Sequence, residues 1–129
     1  MDMTLNFPGG VVVEAVWKGH TIRTDQPTRD GGGDTAPAPF DLFLASLATC
    51  AGFYALRFCQ ERELSTDGLA LAMSLERDPE KKKISLIRIR LTTPKDFPEK
   101  YNAAIVRAMD TCAVKRHVLD PPEFDVGLA

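Results

Sequence analysis

Apolar positions follow three rhythms along this chain, and each rhythm predicts an element. A period of two marks strands. Residues Gly10 to Thr24, GVVVEAVWKGHTIRT, hold a β-branched run, a Lys18-Gly19 turn signal and a second short run, which together predict an N-terminal hairpin. Leu69 to Glu76 (LALAMSLE) and Ile84 to Leu91 (ISLIRIRL) alternate in the same way across the polar turn RDPEKKK. In the second of these strands Ile87, Ile89 and Leu91 share one face, and Arg88 and Arg90 share the other. A period near 3.6 then places Ile105, Ala108, Met109 and Cys112 on one side of a helix over Tyr101 to Val114. The closing EFDVGL is read as a last edge strand.

The third rhythm has no polar face. From Phe40 to Cys59 the sequence FDLFLASLATCAGFYALRFC is apolar or small almost all round, and a helix is predicted from Pro39 to about Glu63. Pro39 suits a first helical turn, and Asp41 is an acid where the helix dipole favours one. The continuous apolar run, Leu42 to Leu56, is shorter than the ~20 residues a bilayer core requires and is flanked by Asp41 and Arg57. It therefore predicts a buried helix and no membrane partner. Before it, DQPTRDGGGDTAPAP (Asp25 to Pro39) is too rich in Pro, Gly and Asp to hold a ladder or a helix, and is read as loop. Two strands, a helix, two strands, a helix and a short strand make an α+β pattern. One small sheet cannot cover an all-round apolar helix, so an intertwined homodimer with that helix at its centre is expected.

Composition narrows the reading. A chain of 129 residues suits one domain spanning 1–129, and 44% hydrophobic with 26% charged residues is ordinary for a folded globular protein. The opening MDMTLNFPGG lacks the pattern of a secretory signal, which points to a reducing, cytoplasmic setting. A formal net charge of −2 gives no electrostatic footprint for a phosphate backbone, so nucleic acid is not an expected partner.

The candidate chemistry rests on three cysteines, too few for a disulfide framework. Cys50 and Cys59 sit nine residues apart on one predicted helix, on opposite sides and roughly 13.5 Å apart, so they cannot pair within the chain. Cys112 lies on the other helix, and only tertiary packing limits its approach to Cys50. The residues leave two readings open: buried thiols serving as small hydrophobes, or a reactive pair. No metal site is expected, because Cys112, His117 and His20 do not give tetrahedral ligand spacing. No nucleotide cofactor is expected either, since the glycines of DGGGDTAPAP lack the Gly-Lys-Ser/Thr ending of a phosphate loop. Lys81 to Lys83 and Lys115-Arg116-His117 read as solvated faces, although cations beside a thiol also lower its pKa.

Two segments then resemble the hallmarks of the OsmC/Ohr family. GGGDTAPAPFDLFLASLATCAGFYALRF is similar to that family's Gly- and Pro-rich loop entering a long central helix with one cysteine. MDTCAVKRHVLDPPEFDV resembles its second hallmark, a cysteine at the end of the second helix followed by a closing strand. The resemblance implies an intertwined α+β homodimer with two buried central helices flanked by sheets, and active sites at the subunit interface. It also implies thiol peroxidase chemistry: Cys50 as the peroxidatic residue for an organic hydroperoxide, Cys112 as the resolving residue, and an intrachain disulfide recycled by a dithiol reductant such as a lipoylated protein. Phe40, Phe43, Phe53 and Tyr54 are candidates for the walls of the substrate pocket. The family's active members use an N-terminal Arg and a Glu at the helix start to organise the thiolate. Arg23 or Arg29 is the candidate for the first. Phe40 occupies the place of the Glu, with Asp41 one position later and, by helical arithmetic, opposite Cys50. A non-catalytic dimer binding an apolar or acyl ligand, and a redox switch built on the Cys50–Cys112 bond, are the alternatives. Cys59 has no family counterpart and is expected to be structural.

Overall fold

A computed structural model describes residues 2–129 of the chain. The protein is a mixed α+β chain that divides into two compact units, one ending at Ala45 and one beginning at Ser46. The N-terminal unit holds an antiparallel sheet in the order β1 (Thr4–Gly9), β2 (Val12–Trp17), β3 (His20–Thr24). The predicted hairpin is β2–β3. Its turn residues Lys18 and Gly19 both take positive φ (49° and 81°), the turn geometry that matches the twist of a two-residue hairpin. The sheet is larger than the sequence reading allowed, because β1 adds a third strand that its Pro-Gly ending had concealed. Pro8 lacks an N–H, but β1 is an edge strand, and the pairing with β2 slips between Asn6 and Gly9.

The loop after β3 is held by one buried acid. Asp25 is 2% exposed, and its carboxylate accepts hydrogen bonds from the Thr35 hydroxyl (2.6 Å), the Gln26 N–H (2.8 Å), the Thr35 N–H (3.0 Å) and the Gly33 N–H (3.3 Å). The Thr35 hydroxyl leads these donors in holding the Asp25 pKa down at about 2. The glycines here serve close approach: a Cβ on Gly32 would fall 1.9 Å from the Gln26 carbonyl oxygen.

Helix α1 (Pro39–Glu61) follows, two residues shorter at its end than predicted, with its first turns in the N-terminal unit. Past its end Glu63 adopts a positive φ of 52°, and the Leu64 N–H returns to the Cys59 carbonyl to close the last turn. The second unit continues with β4 (Ala70–Asp78) and β5 (Lys83–Thr92), a two-stranded antiparallel sheet, then α2 (Asn102–Asp110) and α3 (Ala113–Leu119). Leu71, Met73 and Leu75 pair across the ladder with Leu91, Ile89 and Ile87, so both strands offer one continuous apolar face. Arg88 pairs with Glu76.

The core of this unit lies between α1 and α2. Ala55, Phe58 and Cys59 meet Ile105, with Leu64, Leu91, Phe97, Tyr101, Ala104, Ala108 and Met109 packed around them. The spacing 55, 58, 59 is one helical face, and Leu47 and Ala51 extend the buried stripe toward the start of the helix. Phe53 remains 54% exposed, with Leu56 also exposed, so the chain covers one stripe of α1 and leaves other apolar positions open. By length and composition alone α1 could cross a bilayer; in the folded chain it carries a buried stripe of Leu47, Ala51, Ala55, Phe58 and Cys59.

Two further expectations need correcting. The helix predicted over Tyr101 to Val114 is interrupted: the Thr111 hydroxyl bonds back to the Ala108 carbonyl at 2.6 Å, and Cys112 turns to ψ 123°, ending α2 and capping α3. EFDVGL forms no strand. Residues 121–129 have no regular structure, and Phe124, Val126 and Leu128 are exposed, because period-two alternation makes a strand only where a sheet edge accepts it.

Candidate thiol site

The break between α2 and α3 is what builds the site. Leaving α2 at Cys112 brings its side chain and the first turn of α3 against Cys50, which sits midway along α1. The Cys112 thiol, the Val114 and Ala113 amides and, least of the four, the Arg116 charge all favour the ionised form of Cys50. The Lys115 N–H, at 3.4 Å, points instead at the Cys112 sulfur. All three cysteines are free thiols.

These contacts give the two sulfurs opposite characters. Burial pushes the Cys50 thiol up, but the Cys112 hydrogen bond, the Val114 and Ala113 amides and the Arg116 charge outweigh it, and the net shift is downward. Cys112 is 2% exposed; burial and the proton it lends to Cys50 both raise its pKa, against a smaller opposing effect of the Lys115 amide. Cys50 is therefore the better thiolate and Cys112 the better proton holder. Cys50 is also the more accessible of the two, being only half-buried. Cys59 is 0% exposed in the apolar core, and burial raises its pKa with only Arg62 opposing.

A cavity of about 290 Å³ opens beside Cys112; Cys50 is not among its lining residues. Leu47 and Ala51 of α1, Ile87 and Ile89 of β5, Val106 and Met109 of α2 and Val118 of α3 form its apolar walls, and Cys112 reaches into it. Asp110 and Lys115 also line it, but they pair with each other, so they present no unpaired charge to its contents. The space suits the alkyl or aryl portion of a small apolar molecule.

The other residues singled out from the sequence are occupied elsewhere. Arg23 pairs across the sheet with Glu14 at 2.8 Å, and Arg29 lies 3.6 Å from Asp30. Asp41 accepts the Ala38 N–H at 3.2 Å at the start of α1. Phe40 and Phe43 contact each other at a ring separation of 5.4 Å in the N-terminal unit. Phe53 and Tyr54 meet edge to face at 5.4 Å, and neither lines the cavity beside Cys112; Tyr54 borders a separate open groove with Arg57 and Arg107. Sequence reasoning passed over the β5 wall, and left Lys115-Arg116-His117 as a solvated face whose cations could lower a nearby thiol's pKa. The signals were present: a basic triplet three residues after Cys112, and an alternation that put Ile87 and Ile89 on one face. Among the described residues no three His, Cys, Asp or Glu side chains gather as they would to hold a metal ion.

Comparison with known proteins supplies the context. Residues 31–127 match the family model for OsmC-like protein. No curated protein is significantly similar in sequence. Among solved structures, the chain is similar to an osmotic stress induced and detoxification response protein, so described, from Psychrobacter arcticus 273-4 (21% identity, 88% of this chain and 85% of that one, TM-score 0.73). It is also similar to an OsmC like protein from Mycoplasma pneumoniae (15% identity, 93% and 87% covered, TM-score 0.70). A third similar structure is the organic hydroperoxide resistance protein OhrB of Bacillus subtilis (20% identity, 91% and 90% covered, TM-score 0.52). At these identities the likeness is one of fold.

Proposed function

The chain belongs to the OsmC-like protein family, and from that premise we propose that it reduces organic hydroperoxides with Cys50 as the peroxidatic thiol and Cys112 as the resolving one. The observation that carries this reading is the break at Cys112 between α2 and α3, where the Cys112 and Cys50 thiols act on one another so that Cys50 is drawn down and Cys112 pushed up in pKa, pairing a favoured thiolate with a proton-bearing partner thiol. The Cys50 thiolate attacks the terminal oxygen of the hydroperoxide: an S–O bond forms, the O–O bond breaks, and the alkoxide leaves as alcohol on taking a proton. Cys50 is then a sulfenic acid. The Cys112 sulfur attacks it, the S–S bond forms, and the displaced hydroxide leaves as water with the proton from Cys112. An external dithiol, of which a lipoylated protein is one kind, returns both sulfurs to thiols by exchange. The apolar cavity supports an organic over a water-like peroxide, because its walls offer hydrocarbon contact and no unpaired charge. The working unit is a homodimer, supported by the exposed Phe53 and Leu56 of α1; sedimentation at micromolar protein should give twice the 14.2 kDa chain mass.

Intact mass and thiol counting before and after about one equivalent of cumene hydroperoxide test the chemistry. Loss of two thiols and of two hydrogens in mass, mapped to Cys50 and Cys112, is the expected result. Cys112→Ser should stop at a dimedone-reactive Cys50 after one round, and Cys50→Ser should lose turnover. Survival of all three thiols would refute the peroxidase reading. The cavity would then serve as a pocket for an apolar or acyl ligand, read as a rise in melting temperature with acyl probes.

A further inference from the structure

We propose that the open groove between the second half of α1 and α2 is a binding site for a small phosphate monoester, its phosphate held by Arg57, Arg62 and Arg107. The site is separate from the thiol cavity and does not rest on the peroxidase reading.

Both helices face the groove with the same spacing. Tyr54, Arg57, Phe58 and Glu61 recur at three- and four-residue intervals along α1, and Ala104, Arg107, Ala108 and Thr111 do so along α2 and just past its end. Arg62 follows α1 directly, and the small Ala104 and Ala108 side chains leave room for an opening of about 340 Å³. Three guanidiniums and one carboxylate line it, an excess of two positive charges in a chain whose net charge is −2. The three arginines are not equally spent. Arg57 pairs with Glu61 at 3.3 Å. Arg62 is held without being neutralised: its guanidinium lies 3.6 Å from the centre of the Phe58 ring and donates one N–H to the Phe58 carbonyl at 3.3 Å, which leaves its other donors available in a fixed plane. Arg107 pairs with no carboxylate among the described residues, since Asp110 of the same helix lines the thiol cavity instead and is bound to Lys115. Like charges gathered on one groove repel, and a bound anion offsets that repulsion. The size of the excess selects the anion. A phosphate monoester carries about −1.5 to −2 charge near neutral pH and presents three acceptor oxygens, so one group answers two unspent guanidiniums, whose planar forks match it. A carboxylate brings half that charge. The ester's organic body then has Ala104, Ala108 and the Tyr54 ring to lie on. The surplus of negative charge over the rest of the chain opposes an extended phosphate backbone, so the ligand is a small molecule.

The test is a titration of the whole isotope-labelled chain, followed by the NMR signals of its backbone amides and arginine Nε–H groups. The probes are phenyl phosphate, inorganic phosphate and benzoate, which separate the charged head from the organic body. Phenyl phosphate at low salt should give saturable shifts at Arg57, Arg62, Arg107 and Thr111, with a dissociation constant on the order of 1 mM or below. Inorganic phosphate should shift the same signals more weakly, and benzoate should bind at least about fivefold more weakly than phenyl phosphate. Arg107→Gln should weaken phenyl phosphate about five- to tenfold with the melting temperature unchanged, because Arg107 is exposed, whereas Arg23→Gln, outside the groove, should bind as wild type does. Salt at about 0.5 M should weaken binding by a similar factor, as screening of exposed charges requires. Wild-type binding in Arg107→Gln would overturn the proposal. Two outcomes in the wild-type protein alone would also overturn it: benzoate matching phenyl phosphate, or shifts spread equally over Arg23 and Arg29, which would mark general ion association and no site.

Discussion

Replacing Ile105 by Ala should destabilise the second unit by about 3–4 kcal/mol. Ile105 is 0% exposed and lies between α1 and α2 against Ala55, Phe58 and Cys59, so its side chain has no solvent to retreat to. The change deletes three carbons. Loss of transfer free energy at ~0.8 kcal/mol per carbon gives close to 2.4 kcal/mol. The void adds about 24 cal/mol per Å³ that fails to collapse, which raises the total to roughly 4 kcal/mol for a rigid site. Met109 and Leu64 border the cluster and are only partly buried, so they can lean in and recover part of that cost. For 129 residues the unfolding entropy is about 0.27 kcal/mol/K, so the expected fall in melting temperature is ~11–15 °C. Ile105→Val, which removes one carbon, should cost about 1 kcal/mol. Urea unfolding followed by circular dichroism, at one protein concentration so that self-association does not bias the comparison, measures both. A loss below ~1 kcal/mol for Ile105→Ala with an unchanged urea slope would refute the placement of the core between these helices. A loss as large in Ile105→Val as in Ile105→Ala would refute the cavity argument.

Two other expectations follow from single buried groups. Cys59→Ala should leave hydroperoxide consumption unchanged and cost on the order of 1–2 kcal/mol of stability, because Cys59 fills apolar space with a raised pKa and takes no part in the thiol pair; a large loss of turnover in a folded Cys59→Ala protein would refute this. Asp25, held at about 2 by the Thr35 hydroxyl, the Thr35 and Gln26 amides and the Gly33 amide against the opposing effect of burial, titrates below the ~3.9 of an unfolded aspartate. A depressed acid stabilises fully above the unfolded value and loses its contribution as pH falls through the folded one. The urea midpoint of wild type should therefore exceed that of Asp25→Asn at pH 6, and the gap should close between about pH 4 and pH 2; a gap independent of pH would show that the carboxylate charge is not what holds the loop.

How much of this was legible in the sequence varies with the range of the interaction responsible. The Lys18-Gly19 turn, the β4 and β5 faces and the long α1 were readable because period and turn chemistry act between residues a few positions apart. β1 was hidden because Pro8 reads as a breaker, and nothing in the local sequence says that the strand will lie on an edge where its missing donor is harmless. EFDVGL failed for the converse reason: its alternation is that of a strand, but a ladder needs a second edge, and the folded chain brings none to it. The end of α2 depended on Thr111 and Cys112 preferring side-chain bonds to helix, a balance of about 1 kcal/mol that periodicity does not register.

The thiol site divides along the same line. The sequence alone determined that Cys50 rides an apolar helix, that Cys112 precedes a basic triplet and that Cys50 and Cys59 face apart, since these follow from helical arithmetic and residue order. Only the tertiary structure decided that the chain breaks at Cys112 before α3 and that the Cys112 thiol and the first amides of α3 act on Cys50, while Arg23, Arg29 and Asp41 take the partners Glu14, Asp30 and the Ala38 N–H. A thiol's reactivity is set by charges and donors within a few ångströms, and which groups come that close is a property of the packed chain, not of their order along it.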